Sequence, residues 1–386
     1  MRRIILALAV VALVASVSFA QNSGYLLINN DNVNANTADI DTVSATGALA
    51  KLTTVTTGGT GLGGGYFAAP RNAIGQNFKC FFVSDAGSSD IAAFAIPSLT
   101  KVATNFTNPS LFSALGIGLA TTPNGKFLIS AWSGSENLAV LSIASDCSLT
   151  LVGTPLSQPD EVADVTVTSD GKAVVVSYPN AGGAQAYAIS ATGGLTAVGA
   201  AIDFDSAVSD CSSFGCFPTA QDVDTSDQYW VWGNATLSGP SVLTAKLTTH
   251  GFTNVGLVEF SSSTVGNVET PWYSPAGRAG NGNLYIGASG YGPEAEIAGI
   301  IVTTFKAGVI TYAGTTTNSA AYYAGNVQTI GKSGTGSPIT MIWSSNEAVN
   351  TVQSYTVSGT TLTPAHSLQT SSSGSFAFST NGAAKP

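Results

Sequence analysis

Across residues 115–154 the apolar positions fall into four short runs, at 117–120, 127–131, 138–143 and 149–152. Polar turns separate them: Pro123-Asn124-Gly125-Lys126, a loop over 132–137 and a turn over 145–148. Runs this short have no 3.6-residue period and cannot sustain helices, whereas alternation between turn residues is the pattern of strands. Asn124-Gly125 suits a tight antiparallel connection because both residues tolerate positive φ. The stretch therefore predicts one antiparallel sheet of four strands, A to D.

A single such sheet buries neither face well, so copies of it must stack, and their period sets the architecture. With the A–B turn as marker, copies fall near Gly75, Asn124-Gly125, Asp170-Gly171, Asp227, Asn281-Gly282, Gly331-Lys332 and Asn381-Gly382. Seven markers spaced by 46 to 57 residues predict an all-β, seven-bladed β-propeller of four-stranded antiparallel blades. The first strands, 24–29, 39–43 and 52–56, read as B, C and D of a blade without an A strand. Residues 375–382 match the A strand and turn of the central copy, so the C-terminus is expected to supply strand A of the first blade and close the ring. Blade two is expected to use 66–69, 78–83, 91–96 and 101–105, and blade four 162–168, 173–177, 185–189 and 195–198. Blade five begins at Thr219, and the aromatics within 228–232 are assigned to the core between blades. Blade six spans 268–312 and blade seven 326–368.

Residues 1–20 stand apart from this pattern. Arg2 and Arg3 precede an apolar run over 4–17, and Ser18-Phe19-Ala20 ends in small residues. This is the pattern of a secretory signal peptide cleaved before Gln21, and the run is shorter than the roughly 18 residues of a membrane span. Residues 21–386 are then one domain, with no linker and no later membrane span. Only 9% of the residues are charged and 44% are hydrophobic, which suits a turn-rich all-β protein and argues against disorder.

Thr122-Pro-Asn-Gly-Lys126, Ser169-Asp-Gly-Lys172 and Gly193-Gly-Leu-Thr196 carry a recurring turn and closing strand. In them the chain resembles the lactonase-type seven-bladed propellers, relatives of the 6-phosphogluconolactonase and surface-layer-repeat families. The resemblance covers the chain after the signal peptide. It implies a fold, and activity must be argued from the site.

In this topology the B–C and D–A loops share one face of the disc and the A–B and C–D turns the other. Acidic residues, among them Asp31, Asp85, Asp90, Glu136, Asp160, Glu161, Asp164, Asp203, Asp205 and Asp210, are assigned to the loop face. Arg71, Lys79, Lys126, Lys172, Lys246, Arg278 and Lys332 are assigned to the turn face. With a net charge of −9 the disc is expected to be polarised, its acidic face attracting a small-molecule or protein ligand such as a cation, a basic peptide or a cationic sugar; the plainer reading is scattered charge that keeps the protein soluble. Nucleic acid, which needs a clustered basic surface there, is not expected as a partner. The A-strand starts converge on the axis and offer Tyr66, Asp164, Gln221, Asp222, Glu269 and Asn326 as ligand-binding residues. Asp164, Asp222 and Glu269 are the candidate donors for an axial calcium, although no calcium-loop motif is present and a water-filled channel is the plainer reading. A single disc is expected as a monomer.

His250 is placed at a C–D hairpin and His366 on an outer strand, away from any axial chemistry. Asn105-Phe-Thr and Asn234-Ala-Thr match the glycosylation pattern. The four cysteines of a secreted chain are expected to pair as Cys211 with Cys216, within one D–A loop, and Cys80 with Cys147, between turns of adjacent blades.

The resemblance implies, for the enzymes, an Arg, His and Glu constellation, commonly in a Gly-Pro-Arg-His segment opening an A strand and an Asn-Arg-type B–C loop. Here Glu161-Val-Ala-Asp164 opens an A strand, and the loops Ser177-Tyr-Pro-Asn180 and Ala288-Ser-Gly-Tyr291 lack Arg and His. Asp164 or Glu269 could act as base, but Arg71 and Arg278 are placed near A–B turns, leaving an oxyanion without a donor. The expectation is a secreted non-catalytic propeller binding a ligand or partner through its acidic face, with a secreted lactone hydrolase, metal-assisted if need be, as the alternative.

Overall fold

The computed structural model describes residues 22–44, 48–63, 71–75, 79–96, 98–113, 116–211, 215–234, 241–260, 275–276, 282–288, 298–318, 324–330, 341–346, 351–371 and 378–379. The expected signal peptide, residues 1–20, lies outside them. The described residues form seven antiparallel sheets that follow one another along the chain. Sheet one contains β1 (Asn22–Asn29), β2 (Thr37–Ser44) and β3 (Leu49–Thr56). Sheet two contains β4 (Asn72–Ile74), β5 (Cys80–Asp85), β6 (Asp90–Ala95) and β7 (Thr100–Lys101). Sheet three contains β8 (Ile117–Thr121), β9 (Phe127–Trp132), β10 (Asn137–Ile143) and β11 (Leu149–Ser157). Sheet four contains β12 (Asp164–Val167), β13 (Ala173–Tyr178), β14 (Gly183–Ile189) and β15 (Leu195–Ala197), with β16 (Ile202–Asp203) as an extra strand on β14.

One helical turn, α1 (Phe204–Ala207), capped by the Asp203 carboxylate, leads into sheet five. That sheet holds β17 (Pro218–Val223), β18 (Tyr229–Asn234), β19 (Ser241–Thr248) and β20 (Gly251–Glu259). Sheet six holds β21 (Pro275–Ala276), β22 (Asn283–Ala288), β23 (Ala298–Lys306) and β24 (Val309–Asn318). Sheet seven holds β25 (Ala324–Ile330), β26 (Met341–Asn346), β27 (Thr351–Ser358) and β28 (Thr361–Gln369). The last strand, β29 (Phe378–Ser379), pairs with β1, Ile28 opposite Ser379 and Asn29 opposite Phe378. This is the exchange between chain ends expected from the sequence, and the whole is consistent with a seven-bladed propeller.

The core lies between sheets rather than inside any one of them. Along β9, Phe127, Ile129 and Ala131 pack toward sheet four with Val165 and Val176, while Leu128 and Trp132 pack toward sheet two with Phe82 and Ile91. Alternate residues of a strand point to opposite faces, so a strand buried on both faces needs apolar residues in both registers. The aromatics of β18 meet the same demand: Trp230 and Trp232 are buried, and Trp232 packs edge-on against Phe204 and Phe252. Apolar clusters also join sheets five and six, six and seven, one and two, and one and seven. The first strands of successive sheets touch in order, β4 with β8, β12, β17, β21, β25 and then β29, whose partner β1 touches β4.

The turn markers fall as expected, with positive φ at Gly125, Gly171, Asp227 and Gly282 (67, 70, 58 and 75°). Gly331-Lys332 and Asn381-Gly382 lie outside the described residues. Sheet two departs from the expectation. Its first strand is Asn72–Ile74, not 66–69, because the turn closes at Gly75, whose N–H donates to the Cys80 carbonyl at 2.8 Å. Asn72 and Ile74 therefore pair with Val83 and Phe81, and Arg71 stands at the mouth of the strand rather than in its A–B turn. The last strand of the sheet is also shorter than expected, continued by a single bridge between Ile91 and Phe106.

Candidate functional site

One hydrogen bond fixes the level of the first strand in sheets two to five. Gly75, Thr122, Thr168 and Asp224 each donate their N–H across the turn, to the carbonyls of Cys80, Phe127, Ala173 and Tyr229, at 2.8 to 2.9 Å. Counting four residues back from each gives Arg71, Gly118, Asp164 and Ala220. Successive sheets thus present at one level a cation, no side chain, a carboxyl and a methyl.

Arg71 is fully buried, and its Nη1 donates to Oδ2 of Asp31, which is equally buried in the loop after β1. The other Asp31 oxygen accepts the Leu62 N–H at 3.0 Å, so the carboxylate is fixed from two sides. The Arg71 backbone is held too: its carbonyl accepts from the N–H and the hydroxyl of Ser84, both at 2.9 Å, and from Asn29 Nδ2 at 3.2 Å. A buried guanidinium costs several kcal/mol unless paired, and Asp31 supplies the pairing.

The same polar seam continues outward. Asn36 Nδ2 donates to Asn29 Oδ1 at 2.8 Å and to Asp85 Oδ1 at 2.7 Å, tying sheet one to sheet two. Asp85 and Asp90 face each other, and Asn105 Nδ2 donates to Asp90 Oδ1 at 2.5 Å. Burial raises the Asp85 pKa; hydrogen bonds from Thr57 and Asn36 oppose the rise, and the neighbouring Asp90 adds to it.

Of the six expected axial residues, the structure brings Asp164, Gln221 and Asp222 together. Asp164 is buried; one oxygen accepts its neighbour's Val165 N–H at 2.5 Å and the other the Gln221 N–H at 2.6 Å, from sheet five. Burial raises its pKa to about 7 against these two bonds, and the charge of Asp222 adds to the rise. The Gln221 side chain is occupied: Nε2 donates to the Val175 carbonyl at 2.6 Å and Oε1 accepts from Trp232 Nε1 at 2.7 Å. It is a tie between sheets. Tyr66 and Glu269 lie outside the described residues, as does the side chain of Asn326.

Arg71 corrects the sequence reading of the turn face, whereas Lys79, Lys126 and Lys172 do lie at connections between first and second strands. Arg278 and Lys332 lie outside the described residues. On the opposite side, Asp160 accepts the Ala181 N–H at 2.7 Å, and burial, with Asp160 and Glu136 nearby, raises the Glu161 pKa. His250 is exposed between β19 and β20, and His366 is exposed on β28. Both expected disulfides are present, with Cα separations of 5.6 Å for Cys80–Cys147 and 4.9 Å for Cys211–Cys216. Among the described residues, Asp205, Cys211 and Cys216 are the one grouping of potential metal ligands, and its two sulfurs are bonded to each other. In the two glycosylation triplets, Asn105 serves the Asp90 contact, and Asn234 is buried between Phe217 N–H and the Ser241 hydroxyl.

Residues 68–214 match the family described as lactonase, 7-bladed β-propeller. No curated protein matches the sequence. Solved structures do: a Lactobacillus plantarum protein at 16% identity and TM-score 0.64, covering 92% of this chain and 100% of its own. A Bacteroides fragilis protein described as a candidate 6-phosphogluconolactonase matches at 14% and 0.67, covering 90% and 96%. The periplasmic gluconolactonase of Pseudomonas aeruginosa matches at 11% and 0.62, covering 94% and 100%. At these identities the similarity is one of fold.

Proposed function

We propose that this chain, which resembles the lactonase-type propellers in sequence over residues 68–214 and in fold over nearly its whole length, is a secreted or periplasmic lactone hydrolase. Its ring of seven blades is closed by β29 on β1, in line with the unbroken circuit of contacts between first strands. The observation that carries the reading is Arg71. It stands just before the first strand of sheet two within Ala69-Pro70-Arg71-Asn72, a Pro-Arg in a segment other than Glu161–Asp164, which the sequence reading set against Gly-Pro-Arg-His.

Lactone opening needs a base for water and a positive donor for the developing oxyanion. Asp164 supplies the base: a carboxyl raised to about 7 is partly ionised at neutral pH and is matched to take a proton there. Water adds to the carbonyl carbon as its proton passes to Asp164. The negative charge gathers on the carbonyl oxygen facing Arg71, the ring C–O bond breaks, and the departing alkoxide takes the proton back. Asp31 positions the guanidinium. An axial calcium, with Asp164 and Asp222 as donors, stays a proposal alongside this one.

A second reading, a non-catalytic binding scaffold with an acidic face, is favoured by one observation. Neither Ala69–Asn72 nor Glu161–Asp164 carries a His, and both histidines are exposed. Rates on five- and six-membered sugar lactones decide between them. Turnover above the spontaneous rate, lost in Arg71→Lys and Asp164→Asn, is expected; a wild-type rate equal to the spontaneous one removes the hydrolase.

A further inference from the structure

We propose that Asp85 and Asp90 form a proton-operated latch on the segment that joins sheet one to sheet two, residues 57–63. The inference goes beyond the hydrolase reading and is tested without turnover. Asp85 ends β5 and Asp90 opens β6, directly opposite each other across the hairpin, and both are buried. Asn105 Nδ2 reaches both carboxyls, at 2.5 Å from Asp90 Oδ1 and 3.5 Å from Asp85 Oδ2, and the two carboxyls are within hydrogen-bond reach of each other. Two ionised carboxylates this close and out of water would repel strongly. One proton is therefore retained between them, with Asp85 donating to Asp90.

Residues 57–63 close over this pair. Thr57 and Asn36 hydrogen-bond to Asp85, and the Thr57 carbonyl accepts from Asn105 Nδ2 at 3.2 Å. Gly59 lies so near that a Cβ there would stand 2.5 Å from Asp85 Oδ2 and from Ser88 Oγ. Beyond it, the Thr60 carbonyl accepts the Gly87 N–H at 2.8 Å, the Gly61 N–H donates to the Asn32 carbonyl at 2.8 Å, and the Gly63 N–H to the Asp31 carbonyl at 3.0 Å. The Leu62 N–H donates to Asp31 Oδ1. The segment is thus held at one end by Asp85 and at the other anchors the carboxylate that pairs with Arg71. Among the described residues, the other charges around the pair are Lys101, whose Nζ would lie 2.9 Å from a Cβ at Gly58, and Arg71 with Asp31, beyond Asn36 and Asn29. Burial and the neighbouring Asp90 raise the Asp85 pKa, so the closed segment holds a proton that an opened one, with Asp85 in water, releases near 3.8. Closure is favoured in full below that pH and weakens as pH rises toward the raised value.

The test is amide hydrogen exchange, corrected for the intrinsic rate, at Gly61, Leu62, Gly63 and Gly87. One proton released per opening makes protection fall about tenfold per pH unit between about pH 5 and pH 8. The slope should vanish in Asp85→Asn, which keeps the shape and an N–H donor toward Asp90 but has no proton to lose. It should persist in Asp41→Asn, whose carboxyl lies on another strand, β2. In the wild type the carboxyl carbon resonance of Asp85 should titrate above the ordinary carboxylate range. Flat protection in the wild type, a slope that survives Asp85→Asn, a slope lost in Asp41→Asn, or an Asp85 resonance titrating near 3.8 overturns the latch. None of these results depends on whether lactones are hydrolysed.

Discussion

Arg71 and Asp164 occupy the same position in sheets two and four. Each lies four residues ahead of the turn-closing N–H, and each is opposite a serine of the second strand, Ser84 and Ser177. Both are buried, yet they are satisfied differently: Arg71 by a carboxylate 40 residues away, Asp164 by two backbone N–H groups. Opposite charges thus stand at one level of sheets two and four, with sheet three between them.

Removing Arg71 tests what its pair contributes. Arg71→Ala leaves Asp31 buried without its cation, and should destabilise the protein by about 3–5 kcal/mol in denaturant unfolding. Arg71→Met with Asp31→Leu removes both charges and should recover most of that loss while lactone turnover stays absent. Full stability in the single variant would mean that the pair is not buried in solution.

Much of the fold is legible in the chain because turn chemistry repeats at a visible period. Asn124-Gly125 and Asp170-Gly171 set their turns, and Cys80 and Cys147 could be paired because both sit at marked turns. Arg71 was not legible. Pro70-Arg71-Asn72 is polar and reads as loop, and its burial depends on Asp31 and Asn29, which belong to another sheet. A local pattern carries no signal of a partner 40 residues away. Setting the enzymes' Gly-Pro-Arg-His against Glu161–Asp164 passed over the Pro70-Arg71 that stands before β4.

Stability should be greater in mild acid than in alkali. Asp41 is buried with neither carboxyl oxygen hydrogen-bonded, and burial, then the charge of Asp39, raises its pKa to about 7 against Lys51. Asp164 is raised to about 7 as well. Both groups hold protons in the folded state that the unfolded chain releases near 3.8, so their favourable contribution is complete below that pH and fades as pH rises through 7. Asp39 works the other way. Its bonds to Thr54, Lys51 and Ser371 outweigh burial and keep its pKa below 3.8, so they fail only in stronger acid. Melting temperature should fall between pH 5 and pH 8, and Asp41→Asn should remove up to about 1.4 kcal/mol per pH unit from that slope. A melting temperature that rises over this range would contradict the assignment.

The two disulfides should differ in their effect on stability. Cys80–Cys147 closes a loop between residues 67 apart and ties sheet two to sheet three, whereas Cys211–Cys216 spans 5. Loop-closure entropy gives about 4 kcal/mol for the first and about 2 for the second. Paired Cys→Ser variants, compared by chemical unfolding, should keep that order; a larger loss from the short loop would show that it acts by holding the segment before β17.

Gly118 offers the most direct test of where a substrate would lie. It occupies in sheet three the level that Arg71 and Asp164 hold in the sheets on either side. It lies within β8 opposite Ala131, without positive φ, and a β-branched residue suits that backbone. Gly118 is buried, so Gly118→Val serves as the test once its β-sheet circular dichroism spectrum is shown to be unchanged. If the lactone passes between Arg71 and Asp164, kcat/KM should fall at least about tenfold, the equivalent of 1.4 kcal/mol lost from the transition state. Gly118→Ala should fall less, in proportion to its volume. Full activity in the folded valine variant would show that the substrate does not reach this level, and would separate Asp164 from the role of base.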